Sequence, residues 1–408
     1  MKKRLTIGLF NDSFYPLADG VIMVMDNYAR RLSKYADVVV FAPRYRKKFD
    51  DSTLPYKVVR CSSVKIPMMD YSLPLPKLDR GFSKELDKYD FDIVHIHSPF
   101  AIGKAGIKYA KKHHIPVIAT MHSQFRQDFI KAVKFNKPAD ALTKVVINVF
   151  NKCDECWAVN KEVARIFYED YHYKCMPRVM NNATEMMPVK DEKKAREYIN
   201  KLYKIDDKTK VFLFVGRINT LKNILFIADC IKYVKDHDPK LKFKMLFVGS
   251  GRDEKKLKER IDELGISNEA ILCGKVTDRE IMAYYFARAD LFLFPSVYDA
   301  SSIVQIEAAS QKTPCVFLKG TATASTVTDN VNGYLSDYSI ESYGQKIIDI
   351  VHNDKEYKKI SMNAFKELYV NWDDKVDEAY KLYLEQIEKK KKEQNGRGTK
   401  KSNRGTRS

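Results

Sequence analysis

Two cations suited to binding a diphosphate follow a buried strand near the middle of the chain. The segment VFLFVGRINTLKN, residues 211–223, begins as an apolar run, turns at Gly216 and then presents Arg217 and Lys222. In open parallel sheets, ligands bind beyond the carboxyl ends of the strands. Two fixed cations at such an end can stabilise a departing diphosphate without a metal ion, because its negative charge grows in the transition state.

Two carboxylates follow a later strand of the same half, in the segment VYDASSIVQIEAAS. Ser302 and Gln305 fit a helix capping box, which predicts a helix from residue 303. Asp299 then lies in the preceding loop, and Glu307 lies just over one turn into the helix. A carboxylate among apolar helix residues needs a partner such as a hydroxyl pair or a cation. Together with the two cations, this pattern predicts a ligand with a phosphate beside a hydroxyl-rich group.

Glycines mark two further strand ends. The strand KMLFVG leads into Gly249-Ser250-Gly251 and a helix, and Gly20 begins a helix after the first strand. The free N–H groups at a helix start attract anions. Glu254 stands where the dinucleotide-binding fingerprint has its third glycine. A dinucleotide site is therefore weakly supported, whereas a loop that approaches a phosphate stays plausible.

Three histidines lie at strand ends in the first half. His95 and His97 alternate along a strand and should share one face, but no third ligand at suitable spacing accompanies them, which disfavours a metal site. His122 ends the next strand, ATMHS. Its place at the edge of a predicted ligand site makes a functional role and a structural role about equally plausible.

The elements that position these residues alternate between short apolar strands and helices. This alternation predicts parallel sheets covered on both faces, in two Rossmann-like domains that face a cleft. Strands are predicted in the first half at 5–10, 37–42, 57–62, 92–98, 117–123 and 156–160, and in the second half at 211–216, 244–249, 270–276, 291–296 and 315–319.

The predicted domain organisation has four parts. The first Rossmann-like domain spans 1–185, the second spans 186–354, and helices at 355–388 cross back to the first domain. The tail, 389–408, holds nine Lys/Arg and one Glu with no apolar residue, which predicts disorder. The Pro- and Met-rich segment 63–82 is predicted to be a long binding loop.

Composition narrows the class of protein. The chain has 408 residues, a net charge of +19 and seven scattered cysteines, which indicates a two-domain cytoplasmic protein with reduced thiols. No apolar run approaches the ~20 residues that span a bilayer. The basic tail suits an anionic membrane surface or simple solvation. Nucleic-acid binding lacks a recognisable module and is not expected to be specific.

At this point the motifs resemble a known family. GRINTLKN, FVGSG, ILCGKV and the spacing from Asp299 to Glu307 resemble the donor half of retaining glycosyltransferases of family 4, the glycosyl transferases group 1 with the GT-B fold. DSFYPLADGV, HIHSPFAIG and TMHSQF resemble motifs of its first half. The resemblance extends over roughly residues 4–385.

The resemblance implies roles residue by residue. Arg217 and Lys222 would bind the donor diphosphate, Glu307 the ribose, and His122 would face the reacting sugar or the acceptor. The remaining donor contacts would come from Gly20, Gly249, Gly251, Val276, Asp299, Ser301 and Ser302. The family usually has Glu-Gly-Phe-Gly where this chain has DASS at 299–302, so the donor sugar stays open.

The resemblance also implies the chemistry. A hexose would pass with retention from a nucleotide-diphosphate sugar, UDP by default, without a metal or other cofactor. By the same resemblance, 1–185 would bind the acceptor and 186–354 the nucleotide sugar. The net charge of +11 outside the tail, the loop 63–82 and the basic–aromatic run 124–135 favour an acceptor at the inner face of the membrane, such as a glycolipid or a lipid-linked polysaccharide precursor. The alternative for 124–135 is an amphipathic helix packed on its own domain. The alternatives are a catalytically silent, glycosyltransferase-like partner subunit, and another GT-B enzyme such as a nucleotide-sugar epimerase.

Overall fold

The computed structural model describes residues 4–17, 19–66, 71–297, 299 and 301–402, with side chains as far as Asn395. The chain forms two compact units. The first comprises residues up to Asn182 together with the segment from Trp372 onward, and the second runs from Ala183 to Asn371. The predicted fold class, two α/β units each built on a parallel sheet, is confirmed.

A seven-stranded parallel sheet organises the first unit, in the order β3-β2-β1-β6-β7-β8-β9. Its central strands are almost wholly buried, because both faces are covered by helices and apolar side chains fill each face. The strands of the first unit are β1 (Leu5–Phe10), β2 (Ala36–Pro43), β3 (Lys57–Cys61), β4 (Ser63–Lys65), β5 (Ser72–Pro74), β6 (Ile93–Ile96), β7 (Val117–Met121), β8 (Glu155–Ala158) and β9 (Arg178–Val179).

The basic–aromatic run 124–135, which the sequence left as either a membrane-facing run or a packed amphipathic helix, forms a short helix of its own. This helix, α4, packs on α5. The helices of the first unit are α1 (Gly20–Leu32), α2 (Arg80–Leu86), α3 (Ala101–His113), α4 (Phe125–Val133), α5 (Asn136–Phe150) and α6 (Lys161–Arg165), which continues as a π-helical turn at Ile166–Asp170.

The segment 63–82 is not the long loop that the sequence predicts. Strands β4 and β5 pair antiparallel, with Val64 opposite Leu73, and α2 begins at Arg80. Strands of three residues carry too little hydrophobic pattern to be recognised in a sequence. Residues 67–70 lie outside the described residues.

A six-stranded parallel sheet organises the second unit, in the order β12-β11-β10-β13-β14-β15. The carboxyl ends of β10, β11 and β13 are adjacent, so the segments that follow these strands meet at one edge. The strands are β10 (Lys210–Val215), β11 (Phe243–Val248), β12 (Ala270–Gly274), β13 (Leu291–Leu293), β14 (Cys315–Leu318) and β15 (Tyr334–Ser336).

The second unit keeps one helix that the sequence assigned elsewhere. Helix α13 packs on α11 and α12, so this unit ends at Asn371 rather than at residue 354. Buried apolar side chains of that helix, such as Ile360, join the core of this unit. The helices are α7 (Glu192–Tyr203), α8 (Ile224–His237), α9 (Glu254–Glu263), α10 (Arg279–Arg288), α11 (Ile303–Ser310), α12 (Ile340–Val351) and α13 (Asp354–Leu368).

The disorder predicted for 389–408 is wrong over most of its length, because α14 runs from Trp372 to Ser402. The Lys390 ammonium lies 2.5 Å from the Asp154 carboxylate, and the Gln394 amide donates to the carbonyl of His114. Lysine favours helix, and the apolar start of α14 packs on α1. A lysine run that follows a docked helix therefore continues it. Residues 403–408 lie outside the described residues.

In the part of the chain that the structure describes, no helix is both long and apolar enough to cross a membrane.

Candidate functional site

The loop after β10 holds the two predicted cations in different environments. The carboxylate of Asp253 accepts a hydrogen bond from the Thr220 backbone N–H at 2.9 Å, which fixes the short 3-10 turn Thr220–Lys222. This bond keeps the pKa of Asp253 below its ordinary value. Arg217 is exposed and, among the described residues, forms no ion pair. Its guanidinium is therefore available to a ligand.

Lys222 and Asp299 form an ion pair in which both side chains are mostly buried. The same ammonium lies 5.4 Å from the ring centre of Phe294, at the end of β13. The second oxygen of Asp299, Oδ2, is buried and, in the described part of the chain, has no hydrogen-bond partner. An unpaired buried carboxylate oxygen is a ready acceptor for a ligand hydroxyl.

Glu307 is buried in α11, and its partner is a residue that no sequence motif singles out. The Arg279 guanidinium, at the start of α10, lies 2.6 Å from Glu307 Oε1. Burial raises the pKa of Glu307, and the Arg279 cation opposes that shift. The sequence predicted that Glu307 needs a cation or hydroxyls. The sequence did not show which cation would pair with Glu307, because Arg279 has the sequence context of an ordinary exposed residue in the first turn of a helix.

The glycines after β11 are required by the backbone around them. Gly249 has φ of +142°, and a Cβ added there would lie 1.9 Å from the carbonyl oxygen of Gly216. A Cβ at Gly251 would lie 2.2 Å from the carbonyl oxygen of Ile218. These glycines let the loop after β11 pack against the loop that carries Arg217. This close packing requires glycine at both positions whether or not a phosphate binds there.

Three predicted donor contacts lie around the same edge. Val276 follows β12 and is partly buried against the core. Ser302 is the N-cap of α11 and accepts from the Gln305 N–H, as the capping box predicts. Ser301 is half-buried. Residues 298 and 300 lie outside the described residues.

His122 and Gly20 belong to the first unit, beside a cavity of about 520 Å³. His97 Nδ1 and His122 Nε2 are 3.1 Å apart, and burial lowers the pKa of both rings well below the ordinary value. His95 shares the face of His97, as predicted, but it hydrogen-bonds Thr120 and Tyr383. The three histidines are therefore neutral, and hydrogen bonds within the first unit hold their rings in place.

The helix start at Gly20 is already capped. Asp19 accepts a hydrogen bond from the Ile22 N–H at 2.9 Å, and Tyr71 donates to its other oxygen at 3.1 Å. The anion-attracting end that the sequence predicts here is thus occupied by the protein's own carboxylate. Gly20 itself is exposed, and a Cβ added there would have no other atom within 4 Å.

Metal-ligating residues do not cluster in the described ranges. No group of three or more His, Cys, Asp or Glu side chains there could hold an ion. Cys153 and Cys156 are both buried free thiols.

Family models match both halves of the chain. The model described as "Glycosyltransferase Family 4" matches residues 18–184, and the model described as "Glycosyl transferases group 1" matches residues 195–367. The protein is a group 1 glycosyltransferase. The two matches fall almost wholly within the first and the second unit, respectively, and the family resemblance is confirmed.

Curated relatives of this glycosyltransferase include two α-monoglucosyldiacylglycerol synthases. The one from Acholeplasma laidlawii is 24% identical over 96% of this chain and 100% of its own length. The one from Streptococcus pneumoniae is 26% identical over 76% of this chain and 70% of its own length.

Solved structures confirm the GT-B fold of this glycosyltransferase. A glycosyltransferase from Rickettsia africae has a TM-score of 0.74 at 16% identity, covering 95% of this chain and 99% of its own. Anabaena Alr3699/HepE in complex with UDP has a TM-score of 0.71 at 15% identity, covering 92% and 99%.

A first prediction tests the role that the family resemblance implies for Glu307, which is to bind the ribose of a donor nucleotide. We expect Glu307→Gln to raise the nucleotide Kd about 10–100-fold, because hydrogen bonds to a charged acceptor contribute about 1.5–3 kcal/mol. The pKa of Glu307 is raised, so affinity should fall as pH drops through that raised value. Arg279→Ala removes the opposing cation, and the fall should then begin at higher pH.

Titration of nucleotide affinity against pH, by calorimetry, checks both variants. Glu259→Gln makes the same chemical change on an exposed helix, α9, and serves as the control. A pH profile that Arg279→Ala leaves unmoved would show that the two side chains are not coupled in binding.

Proposed function

We propose that this glycosyltransferase moves a hexose, with retention, from a nucleotide-diphosphate sugar to a hydroxyl of a glycolipid-type acceptor at the cytoplasmic face of a membrane. UDP is the first candidate nucleotide. The observation that carries the proposal is the match to the A. laidlawii α-monoglucosyldiacylglycerol synthase, which spans 96% of this chain and all of that enzyme.

The second unit supports the donor side of the proposal. Arg217 offers a free cation in the loop after β10, and Lys222 offers a cation that only Asp299 neutralises among the described residues. A diphosphate of two or more negative charges would compete with the single carboxylate for Lys222. Once displaced, Asp299 would be left to accept hydroxyl groups of the sugar.

The first unit supports a lipid acceptor. The surface of its cavity is mainly apolar, and Val21, Ile66, Leu73, Phe125 and Phe129 contribute to it. An apolar enclosure of about 520 Å³ suits part of a hydrocarbon-bearing molecule.

An exposed surface on α4 and α5 supports membrane contact. Phe135, Leu142 and Val145 are 70%, 39% and 52% exposed there, and the same stretch of chain holds four exposed lysines: Lys131, Lys134, Lys137 and Lys144. Exposed apolar side chains together with lysines favour an anionic bilayer surface, at about 1 kcal/mol for each cation close to it. The lysine-rich end of α14 would add to the attraction.

A catalytically silent partner subunit, the alternative that the sequence leaves open, has no observation in its favour among the described residues. The residues that the proposal assigns to the donor, Arg217, Lys222 and the buried Glu307, are all retained in this chain.

One vesicle experiment tests the function. Labelled UDP-, GDP- and ADP-hexoses are incubated with the protein and vesicles that contain diacylglycerol, with and without EDTA. We expect one nucleotide class to give labelled lipid, unaffected by EDTA, since the two cations replace a metal. Retention predicts an α-linked product from an α-linked donor. Pelleting the vesicles should recover more protein as the anionic lipid fraction rises.

The arms of this experiment contradict different parts of the proposal. No transfer with any donor, together with no nucleotide-induced rise in Tm, would favour the silent-subunit alternative. Loss of activity with EDTA would contradict metal independence. Unchanged pelleting of the Phe135→Ser, Val145→Ser variant would contradict the α4–α5 membrane surface.

A further inference from the structure

The described residues that line the cavity of the first unit supply acidic and neutral polar groups. Asp12, Asp19 and Asp128 line it. Among the described residues, no Lys or Arg lines it, although the chain carries a net charge of +19. Three carboxylates along a mostly apolar cavity whose described lining holds no cation disfavour an anionic ligand.

Two of the three helix starts beside the cavity are closed to anions by the protein's own carboxylates. Asp12 accepts the Ile102 N–H at 2.8 Å and the Gly103 N–H at 3.3 Å at the start of α3, and Ser98 donates to it at 2.5 Å. Asp19 caps α1 in the same way. The third start, that of α4, has no side-chain cap, but it carries Asp128 in its first turn. Helix N-termini are the usual phosphate-binding positions in such folds, and here each has a carboxylate of the protein beside it.

One polar side chain of the cavity lining stands out, that of His97. The side chain is only 3% exposed, and its Nε2 has no hydrogen-bond partner among the described residues. The other ring nitrogen contacts His122, which also lines the cavity. Buried polar atoms in folded proteins nearly always have a partner, so an unpaired one on a side chain that lines a cavity is a candidate position for a ligand contact.

The neutral state of the ring defines the ligand group. In the contact between His97 and His122, one ring donates and the other accepts, so Nε2 of His97 is an acceptor in one tautomer and a donor in the other. A hydroxyl can satisfy either tautomer. A phosphate oxygen satisfies only the donor form, and it would also face the three carboxylates.

We infer that the cavity selects an uncharged lipid and that His97 Nε2 binds one of its hydroxyl groups. This inference rests on the proposed function, since it names the acceptor class of the same enzyme. It separates the two acceptors that the sequence leaves open: an acylglycerol-type lipid fits the cavity, whereas a phosphate-linked lipid precursor does not. His97 is then a specificity-determining residue beside His122.

Two short-chain probes with the same acyl chains test the inference without a membrane surface. Dioctanoylglycerol and dioctanoylphosphatidylglycerol both carry a glycerol hydroxyl, but only the second carries a phosphate. Each is titrated below its micelle concentration against the full chain, with binding followed by the rise in Tm. We expect dioctanoylglycerol to bind at least tenfold more tightly.

Variants separate the two parts of the inference. His97→Phe keeps a buried ring but removes both nitrogens, and should weaken dioctanoylglycerol binding about tenfold, while His97→Gln should restore part of it. Asp19→Asn with Asp128→Asn should narrow the preference for the uncharged probe. Met176→Ser, at an exposed position of the first unit outside the cavity lining, is the control and should bind both probes as the unmodified protein does.

Three outcomes would overturn the inference. Equal or tighter binding of the phosphatidylglycerol probe would contradict charge selection. Absence of binding by either probe, or binding that His97→Phe leaves unchanged in a variant of normal Tm, would contradict the hydroxyl site. Selective lipid binding without sugar transfer would instead support the cavity assignment and contradict the proposed function.

Discussion

Replacing Arg217 with alanine is expected to lower kcat at least about 100-fold while leaving the Tm unchanged. The side chain is exposed and, within the described ranges, forms no ion pair that its removal could break. Its cation would act on the charge that develops on the departing diphosphate. A loss confined to the transition state should appear in kcat and kcat/KM together.

Lys222→Ala is expected to lose a similar factor for the same reason, but with a small loss of Tm, because it leaves the mostly buried carboxylate of Asp299 unpaired. Initial rates with saturating donor, together with thermal melts, check both variants. Arg196→Ala and Lys255→Ala remove cations from surface ion pairs on α7 and α9 and are the matched controls. Full turnover in Arg217→Ala would contradict the assignment of the diphosphate site.

Gly249→Ala is expected to destabilise the second unit by about 4 kcal/mol or more. The φ of +142° is a conformation that only glycine adopts readily, and the new Cβ would lie 1.9 Å from the Gly216 carbonyl oxygen. The loops after β10 and β11 must then separate. At about 2–4 °C per kcal/mol, the unfolding midpoint of this unit should fall by roughly 8–16 °C.

Gly265→Ala is the matched control for this variant. It also has a positive φ, +64°, but no atom lies within 4 Å of the new Cβ. Only the left-handed backbone strain remains there, about 1–2 kcal/mol. Calorimetric melts of the two variants therefore separate collision from strain. Equal losses would show that the close approach of the two loops is not what makes glycine necessary at 249.

The strands of both sheets could be predicted from the sequence because they are nearly continuous apolar runs in a doubly covered parallel sheet. The prediction for 5–10 agrees with β1 at both ends, and 117–123 and 211–216 differ from β7 and β10 by at most two residues. The short strands β9 and β15 were missed, because two or three residues carry no measurable period.

The predicted site residues follow the same logic. Arg217 and Lys222 could be chosen from their place after β10, and Glu307 from a carboxylate in an apolar helix start. Arg279 and His97 could not, because their significance comes from a neighbour distant in sequence: Glu307 for the first, and the cavity with His122 for the second. A buried atom without a partner is a property of the folded chain alone.

Residue types and their periodicity, by themselves, determined two parallel α/β units, the strand ends where chemistry is placed, and the family. These depend on local pattern, which each segment carries within its own few residues. Only the tertiary structure decided that Asp253 fixes the turn Thr220–Lys222, that Asp12 closes the start of α3 to anions, and that α14 continues into the basic tail. Each of these depends on segments far apart in sequence, whose contacts arise only once the sheets have brought them together.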